Sequence, residues 1–233
     1  MKVTALGTAD ALCSSGRGNT AWLVDDARGS YAVDFGPTAL LALRKLGRDP
    51  EELDAVHFTH LHGDHIAGWP FLLLGARTRP LLASGPPGAR DRLHALWAAC
   101  YADASERPLP FALTVIELQP GESRELCNRQ VTAFRAQHMG PRHVALSLRI
   151  DGIAFSGDTS ELAGGLCDGA KLLCCECAHA VPGKRKHLDW ETLRDNLPEV
   201  PRILIAHLGE DARRAARSFG NVQICDDFDS IEL

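Results

Sequence analysis

The chain has 233 residues, of which 45% are hydrophobic and 24% are charged, and its formal net charge is −5. This composition is typical of a folded globular protein, and the length suits one domain with a full core. The negative charge argues against tight, non-specific binding of nucleic acid. The N-terminus lacks the apolar core of a signal peptide, and no apolar run reaches the ~20 residues that span a membrane. We therefore expect a single cytoplasmic domain over residues 1–233, with no membrane partner.

Apolar runs bounded by turn residues predict strands, and helical periodicity predicts the helices between them. The predicted strands are 2–7, 20–25, 31–35, 55–58, 79–83, 111–118, 130–136, 144–150, 153–156, 171–176, 202–206 and 222–225. The predicted helices are 39–46, 66–74, 89–104 and 211–218, and Pro70 should disturb the second of them. The pair Asp151-Gly152 between two apolar runs is typical of a tight β-hairpin. Strands alternating with helices on both sides of residue 60 favour an α/β protein with two sheets and helices outside them.

The stretch 59–65 contains a dense group of polar side chains directly after the predicted strand 55–58. The group consists of His60, His62, Asp64 and His65. Imidazole and carboxylate are ligands that divalent metals accept, and a loop at the end of a strand leaves room for the ion. The stretch therefore predicts a metal site.

Three further candidate ligands each follow an apolar strand. His138 comes after the strand 130–136, Asp158 after 153–156, and His207 after 202–206. Repeated placement at strand ends predicts that these side chains meet the first four at one edge of the fold. Seven ligands exceed one tetrahedral zinc site and fit two metals that share a bridging carboxylate.

In order and approximate spacing, these seven residues resemble the metallo-β-lactamase superfamily, and the resemblance runs from Leu6 to His207. It implies a four-layer αββα sandwich of the α/β class and two divalent metal ions, zinc first, with manganese or iron as alternatives. The first ion would be bound by His60, His62 and His138. The second would be bound by Asp64, His65 and His207, with Asp158 bridging.

Within the superfamily, the chain most resembles the ribonuclease Z-like phosphodiesterases. Classical β-lactamases of this fold have a cysteine at the place of Asp158, and lactone hydrolases typically have a tyrosine soon after it, where this chain reads Thr-Ser-Glu. Leu6-Gly7-Thr8, Asn19-Thr20 and Ser156-Gly157-Asp158-Thr159 are similar to the ribonuclease Z group instead.

The same resemblance implies a proton donor. In ribonuclease Z-like enzymes a glutamate orients a histidine that protonates the leaving oxygen, and Glu176 and His187 match those positions. The family string His-Glu-Ala-Thr is replaced here by Cys175-Glu176-Cys177-Ala178. The alternative interpretation of His187 is a surface histidine in front of the helix that begins near residue 189.

Only 19 residues separate His138 from Asp158, which leaves no room for the long substrate arm of transfer-RNA-processing relatives. We therefore expect a small phosphodiester, rather than transfer RNA, as the substrate. Its hydrolysis would use a metal-bridged hydroxide oriented by Asp64. A thioester or other acyl hydrolase on the same metals, and a non-catalytic binding protein, remain alternatives. Relatives resembling ribonuclease Z are often dimers, so a homodimer is the assembly to test.

The remaining polar candidates have a simpler interpretation. His57, His94, His143 and His179 are expected to be structural or exposed rather than ligands, and His143 is the least secure of these assignments because it follows His138 by only five residues. Arg17 is interpreted as a solvated loop residue. The eight cysteines do not predict disulfides in a chain of this length and are expected to be thiols.

Overall fold

The computed structural model describes residues 1–74, 78–183 and 186–233. In these residues the strands, in chain order, are β1 (Lys2–Gly7), β2 (Ala21–Asp26), β3 (Gly29–Val33), β4 (Leu53–His57), β5 (Leu81–Gly85), β6 (Leu113–Glu117), β7 (Ser123–Leu126), β8 (Arg129–Ala136), β9 (Ala145–Ile150), β10 (Ile153–Phe155), β11 (Leu172–Glu176), β12 (Ile203–Ala206), β13 (Val222–Ile224) and β14 (Ser230–Glu232). The helices are α1 (Ala39–Lys45), α2 (Gly63–Ile66), α3 (Trp69–Leu74), α4 (Ala89–Cys100), α5 (Ala102–Ser105), α6 (Trp190–Asp195) and α7 (Glu210–Ala215).

The strands form two seven-stranded mixed sheets of similar plan. The first sheet has the order β14-β1-β2-β3-β4-β5-β6, and the second has the order β13-β12-β11-β10-β9-β8-β7. In the first sheet the pairs from β14 to β3 are antiparallel and those from β3 to β6 are parallel. The second sheet has the same arrangement: the pairs from β7 to β10 are antiparallel, and those from β10 to β13 are parallel.

Side chains that alternate along the strands fill separate layers. On β2, Trp22 and Val24 belong to the apolar cluster between the sheets, whereas Leu23 belongs to the cluster on the outer face of the first sheet. On β11, Leu172 and Cys174 face the inner cluster and Leu173 faces the outer cluster of the second sheet. Both faces of these strands are buried, which explains why their sequences are almost wholly apolar.

The outer layers are helical. Leu43 of α1, Trp69 of α3 and Leu93 of α4 pack in the cluster on the first sheet. Leu193 of α6 and Ala212 of α7 pack in the cluster on the second sheet. The predicted αββα sandwich is therefore confirmed in its layers.

Local differences from the predicted elements have physical reasons. Residues 66–74 do not form one helix: α2 and α3 are separate, and Pro70 lies in the first turn of α3, where its missing N–H is not needed. Helix 89–104 is divided at Tyr101, whose φ of −141° is not helical. The strands β7 and β14 were not predicted because they are short and carry mostly exposed residues.

Other expectations are met. Asp151 and Gly152 both have positive φ and connect β9 to β10 as the tight hairpin that was predicted. All eight cysteines lie among the described residues, and each is a free thiol. None of the helices described is long and apolar enough to cross a membrane.

Candidate metal centre

Strand direction explains why distant residues meet at one edge. The strands β8, β10, β11 and β12 all run in the same direction. Both β8 and β10 are antiparallel to β9, and β11 and β12 continue parallel to β10. His138, Asp158 and His207 each follow the carboxyl end of one of these strands. The loop after β4 brings His60 and His62 to this edge, and α2 brings Asp64 and His65. The structure thus places all seven predicted ligands together.

The first donor group consists of His60, His62 and His138, whose ring nitrogens face one another. His62 Nδ1 lies 3.1 Å from Nε2 of His60 and 3.1 Å from Nε2 of His138. Two nitrogens bound tetrahedrally to zinc at about 2.0–2.1 Å would be about 3.3 Å apart. The observed spacing therefore fits a shared metal ion.

The second donor group consists of Asp64, His65, Asp158 and His207. His65 Nε2 lies 3.2 Å from Asp64 Oδ2 and 3.4 Å from Asp158 Oδ1, and His207 Nε2 lies 3.3 Å from Asp158 Oδ2. His65 Nε2 is buried and makes no well-formed hydrogen bond in the described part of the chain. A buried nitrogen without a hydrogen bond, surrounded by carboxylates, is what a metal ligand looks like before the ion binds.

Asp158 lies between the two groups. Its Oδ2 atom is 3.7 Å from His60 Nε2 and 3.8 Å from His138 Nε2, so one carboxylate faces both donor sets. Burial would raise the pKa of Asp158, but the neighbouring His207, His65 and His60 hold it well below its usual value. Burial lowers the pKa of His60, which leaves its imidazole neutral, as metal binding requires.

A third carboxylate, that of Asp34, contacts a histidine of the second donor group. The sequence did not predict this contact. Asp34 Oδ2 accepts hydrogen bonds from His65 Nδ1 at 2.8 Å and from Thr59 Oγ1 at 2.8 Å, and Oδ1 accepts one from Thr59 N. Such a partner fixes the orientation and tautomer of a ligating histidine. The predicted strand 31–35 includes Asp34, whereas β3 ends at Val33, so the position of Asp34 after a strand becomes visible only in the structure.

Backbone conformation also marks this edge. Asp34 and His207 have φ of 61° and 54°, in the left-handed region that side chains other than glycine rarely adopt. Gly157, directly before Asp158, has φ of 56°, and a Cβ atom there would lie 2.6 Å from Leu146 O. Strained backbone of this kind persists where the surrounding structure holds it, and it clusters at functional sites.

Glu176 and His187 lie together beside the donor groups, as the sequence predicted. His187 Nδ1 is 2.9 Å from Glu176 Oε1 and 3.9 Å from Asp158 Oδ2. Glu176 is held by backbone N–H groups of Thr159, at 2.6 Å, and Ala178, at 3.2 Å. Departure from the family string at 175–178 therefore leaves the carboxylate in place, because its partners are backbone atoms.

Burial raises the pKa of Glu176 to about 7, despite the opposing hydrogen bond from His187. Burial lowers the pKa of His187, but the hydrogen bond and charge of Glu176 outweigh it, so the net shift is upward. The pair thus holds a proton near neutral pH next to the donor groups. His187 Nδ1 also falls into a third cluster with His138 and Asp158, but its short contact with Glu176 favours a proton-holding role over a ligand role.

The other polar candidates lie outside the donor groups. His57 is fully buried, bonds Ser84 Oγ through Nδ1 at 2.7 Å, and has its pKa lowered to about 3 by burial. Arg17 forms a two-pronged ion pair with Asp226 at 2.6 and 2.7 Å. His143 lines a cleft next to His62.

Comparison with known proteins gives consistent relatives. A family model described as "Anti-Pycsar protein Apyc1" matches residues 1–227. Ribonuclease Z of Lachnoclostridium phytofermentans is 35% identical over 143 residues, which cover 59% of this chain and 45% of that protein. Ribonuclease Z of Pseudomonas putida (strain W619) is 30% identical over 239 aligned positions, covering 100% of this chain and 67% of that protein. The chain spans about half the length of most curated relatives that it matches.

Among solved structures, the short form of human tRNase Z matches with a TM-score of 0.76 and 25% identity, covering 100% of this chain and 99% of that chain. This match and the His/Asp donor groups described above agree with the resemblance to ribonuclease Z that the sequence motifs indicate. The chain has the metallo-β-lactamase fold, is related to ribonuclease Z and belongs to the anti-Pycsar protein Apyc1 family.

Proposed function

We propose that this chain is a phosphodiesterase that depends on two divalent metal ions and hydrolyses a small phosphodiester, with a cyclic nucleotide as the substrate class. One observation carries the proposal: Asp158 of the second donor group also faces the first group, and His187, paired with Glu176, has its Nδ1 atom 3.9 Å from that same carboxylate. Cleavage of a phosphodiester bond to a poor leaving group needs metal ligands and, next to them, a separate pair that holds a proton.

One ion would be held by His60, His62 and His138. The other would be held by Asp64, His65 and His207, and Asp158 would contact both ions. Bound there, divalent cations act as Lewis acids on the phosphate and activate water for attack. Zinc suits the first, all-imidazole group, and the carboxylate-rich second group also suits manganese or iron.

His187 would protonate the departing alkoxide. Its Nδ1 is engaged by Glu176, so Nε2 is the ring nitrogen left to deliver a proton, and the side chain is 20% exposed. Glu176, at 2% exposure, acts as a positioning residue that raises the basicity of the imidazole. Asp64 directs Oδ2 at His65, and its other oxygen is available to orient the attacking water.

Three features support a small substrate. The segment between His138 and Asp158 is occupied by the hairpin of β9 and β10 and carries no long arm. The net charge of −5 offers little attraction for a long polyanion. The chain also belongs to a family described as anti-Pycsar, which favours a cyclic nucleotide phosphodiester as the first substrate to assay.

The test uses purified protein loaded with Zn²⁺ or Mn²⁺ and assayed on 3′,5′-cyclic mononucleotides and on bis(p-nitrophenyl) phosphate. We expect metal-dependent turnover of both, lost on chelation and restored by metal. An acyl-thiol panel run in parallel tests the alternative chemistry. Turnover of thioesters without any phosphodiester cleavage would overturn the proposal in favour of an acyl hydrolase.

A further inference from the structure

A cleft of about 340 Å³ lies directly beside the first donor group. His62 belongs both to that group and to the wall of the cleft. Any small phosphodiester whose phosphate lies at the donor groups must direct the rest of the molecule into adjoining space, and this cleft adjoins them. Its volume falls within the range that small organic ligands occupy.

The walls of the cleft combine apolar surface with two polar side chains. Leu61, Pro87 and Met139 supply the apolar part, from three separate loops at the same edge. Arg92 of α4 and His143 line the same space. Flat apolar surface with a few polar groups is typical of sites that bind a ring and read its edge.

Arg92 differs from the arginines that contribute to the fold through hydrogen bonds and ion pairs. Arg90, two residues earlier on α4, donates to Val115 O at 2.5 Å, and Arg17 is held by Asp226. Arg92 is exposed, and among the residues that the structure describes its guanidinium makes neither a hydrogen bond nor an ion pair. An arginine left without a partner beside a metal-donor group is available for a ligand.

We propose that this cleft is the nucleobase subsite, in which Arg92 recognises the acceptor edge of the base of a cyclic nucleotide. The proposal rests on the proposed function. The phosphate of a cyclic mononucleotide carries a single negative charge, which would be neutralised at the donor groups, so the guanidinium beyond them meets the neutral part of the substrate. The planar fork of arginine presents two N–H groups at a fixed spacing to base acceptors and also stacks on rings, whereas the lysine ammonium is a flexible point charge without a planar face.

The experiment compares Arg92→Met, Arg92→Lys and a matched control, Arg202→Met. Arg202 is also exposed, its side chain makes neither a hydrogen bond nor an ion pair with the residues described, and it lies before β12, at the edge opposite the donor groups. KM and kcat are measured on adenosine and cytidine 3′,5′-cyclic monophosphates and on the 3′,5′-cyclic phosphate of methyl riboside, which has the same sugar phosphate but no base.

Both Arg92 variants should raise KM for a cyclic nucleotide about ten-fold or more, with a much smaller change in kcat and in either constant for the base-free diester. The control should match the wild type. A lysine variant that restores the wild-type KM would contradict base recognition and indicate simple charge attraction. Equal effects on both substrate types, or no effect, would also overturn the proposal.

Failure of the proposed function gives a different result, namely no turnover of either substrate by the wild-type, metal-loaded protein. The subsite is then tested by titrating the same cyclic nucleotides calorimetrically into zinc-loaded protein. Weaker binding by Arg92→Met than by Arg202→Met supports the subsite, and equal or absent binding rejects it.

Discussion

The two edges of the sandwich both bury charged side chains, but they do so in opposite ways. At the edge where β2 ends and β8 begins, Arg129 is 1% exposed, and its guanidinium donates to Asp26 Oδ1 at 2.8 Å and to Gly29 O at 3.1 Å. At the edge where β8 and β12 end, the buried Nε2 atom of His65 lacks a hydrogen-bond partner among the described residues and lies 3.2 Å from Asp64 Oδ2 and 3.4 Å from Asp158 Oδ1. The first edge pairs its buried charge with a carboxylate, whereas the second gathers possible metal ligands around one point.

The difference separates structural from functional polar groups. A buried polar group without a partner costs free energy, so a protein keeps one where something else completes it. Near Arg129, Asp26 neutralises the guanidinium, and the aromatic ring of Tyr31 lies 4.9 Å from the guanidinium carbon. Near His65, the donor atoms of the second group lie close enough together to bind a divalent ion. Substitutions at the two edges should therefore fail in different ways, the first in stability and the second in chemistry.

The largest effect is expected for Asp158→Asn. An amide cannot supply two anionic oxygens to both donor groups, so turnover should fall by at least about 10³-fold, the equivalent of some 4 kcal/mol of transition-state stabilisation. Metal content is measured with the rates. The matched control is Asp103→Asn on the exposed helix α5, which should behave as wild type. Near-normal turnover by Asp158→Asn would contradict the bridging role.

His187→Ala should reduce turnover of cyclic nucleotides by about 10²–10⁴-fold, because their alkoxide leaving group needs a proton. The loss should be far smaller for bis(p-nitrophenyl) phosphate, since nitrophenolate departs without protonation. His94→Ala, an exposed histidine on α4, is the control. Equal losses on both substrates would indicate that His187 acts as a metal ligand or a structural residue instead.

Asp26→Asn should lower the free energy of unfolding by about 3 kcal/mol while the activity of folded protein is kept, because Arg129 is left buried without its counter-charge. Burial would raise the pKa of Asp26, but hydrogen bonds from Arg28 and Arg129 lower it to about 2. Its contribution is therefore complete above the unfolded pKa near 4 and is lost as the pH falls toward 2. Urea unfolding across that window checks whether the wild-type advantage shrinks; a constant difference would refute the ion-pair account.

A smaller effect is expected for Asp34→Asn. The substitution weakens the hydrogen bond that holds His65 Nδ1, and such support typically contributes 10–100-fold to metal affinity. Competition with a chromogenic chelator measures the affinity. An unchanged affinity would show that the left-handed backbone at Asp34, and not its carboxylate, is what the centre requires.

The sequence predicted the layers and the convergence of His138, Asp158 and His207 because each follows an apolar strand. It did not predict the partners of those residues. Asp34 lies inside the predicted strand 31–35, and only the packing of β3 beside β4 shows that it meets His65. The burial of Arg129 could not be predicted either, because it depends on contacts about 100 residues away. Local patterns predict elements and candidate ligands, and long-range pairing decides which of them become partners.

The most direct test of the account is metal analysis by mass spectrometry on protein purified without chelator and reloaded with zinc. The two donor groups predict two ions per wild-type chain, about one per chain after His62→Ala, and a loss of turnover that follows the loss of metal. One ion or none per wild-type chain after reloading would contradict a centre in which Asp158 joins two metal sites.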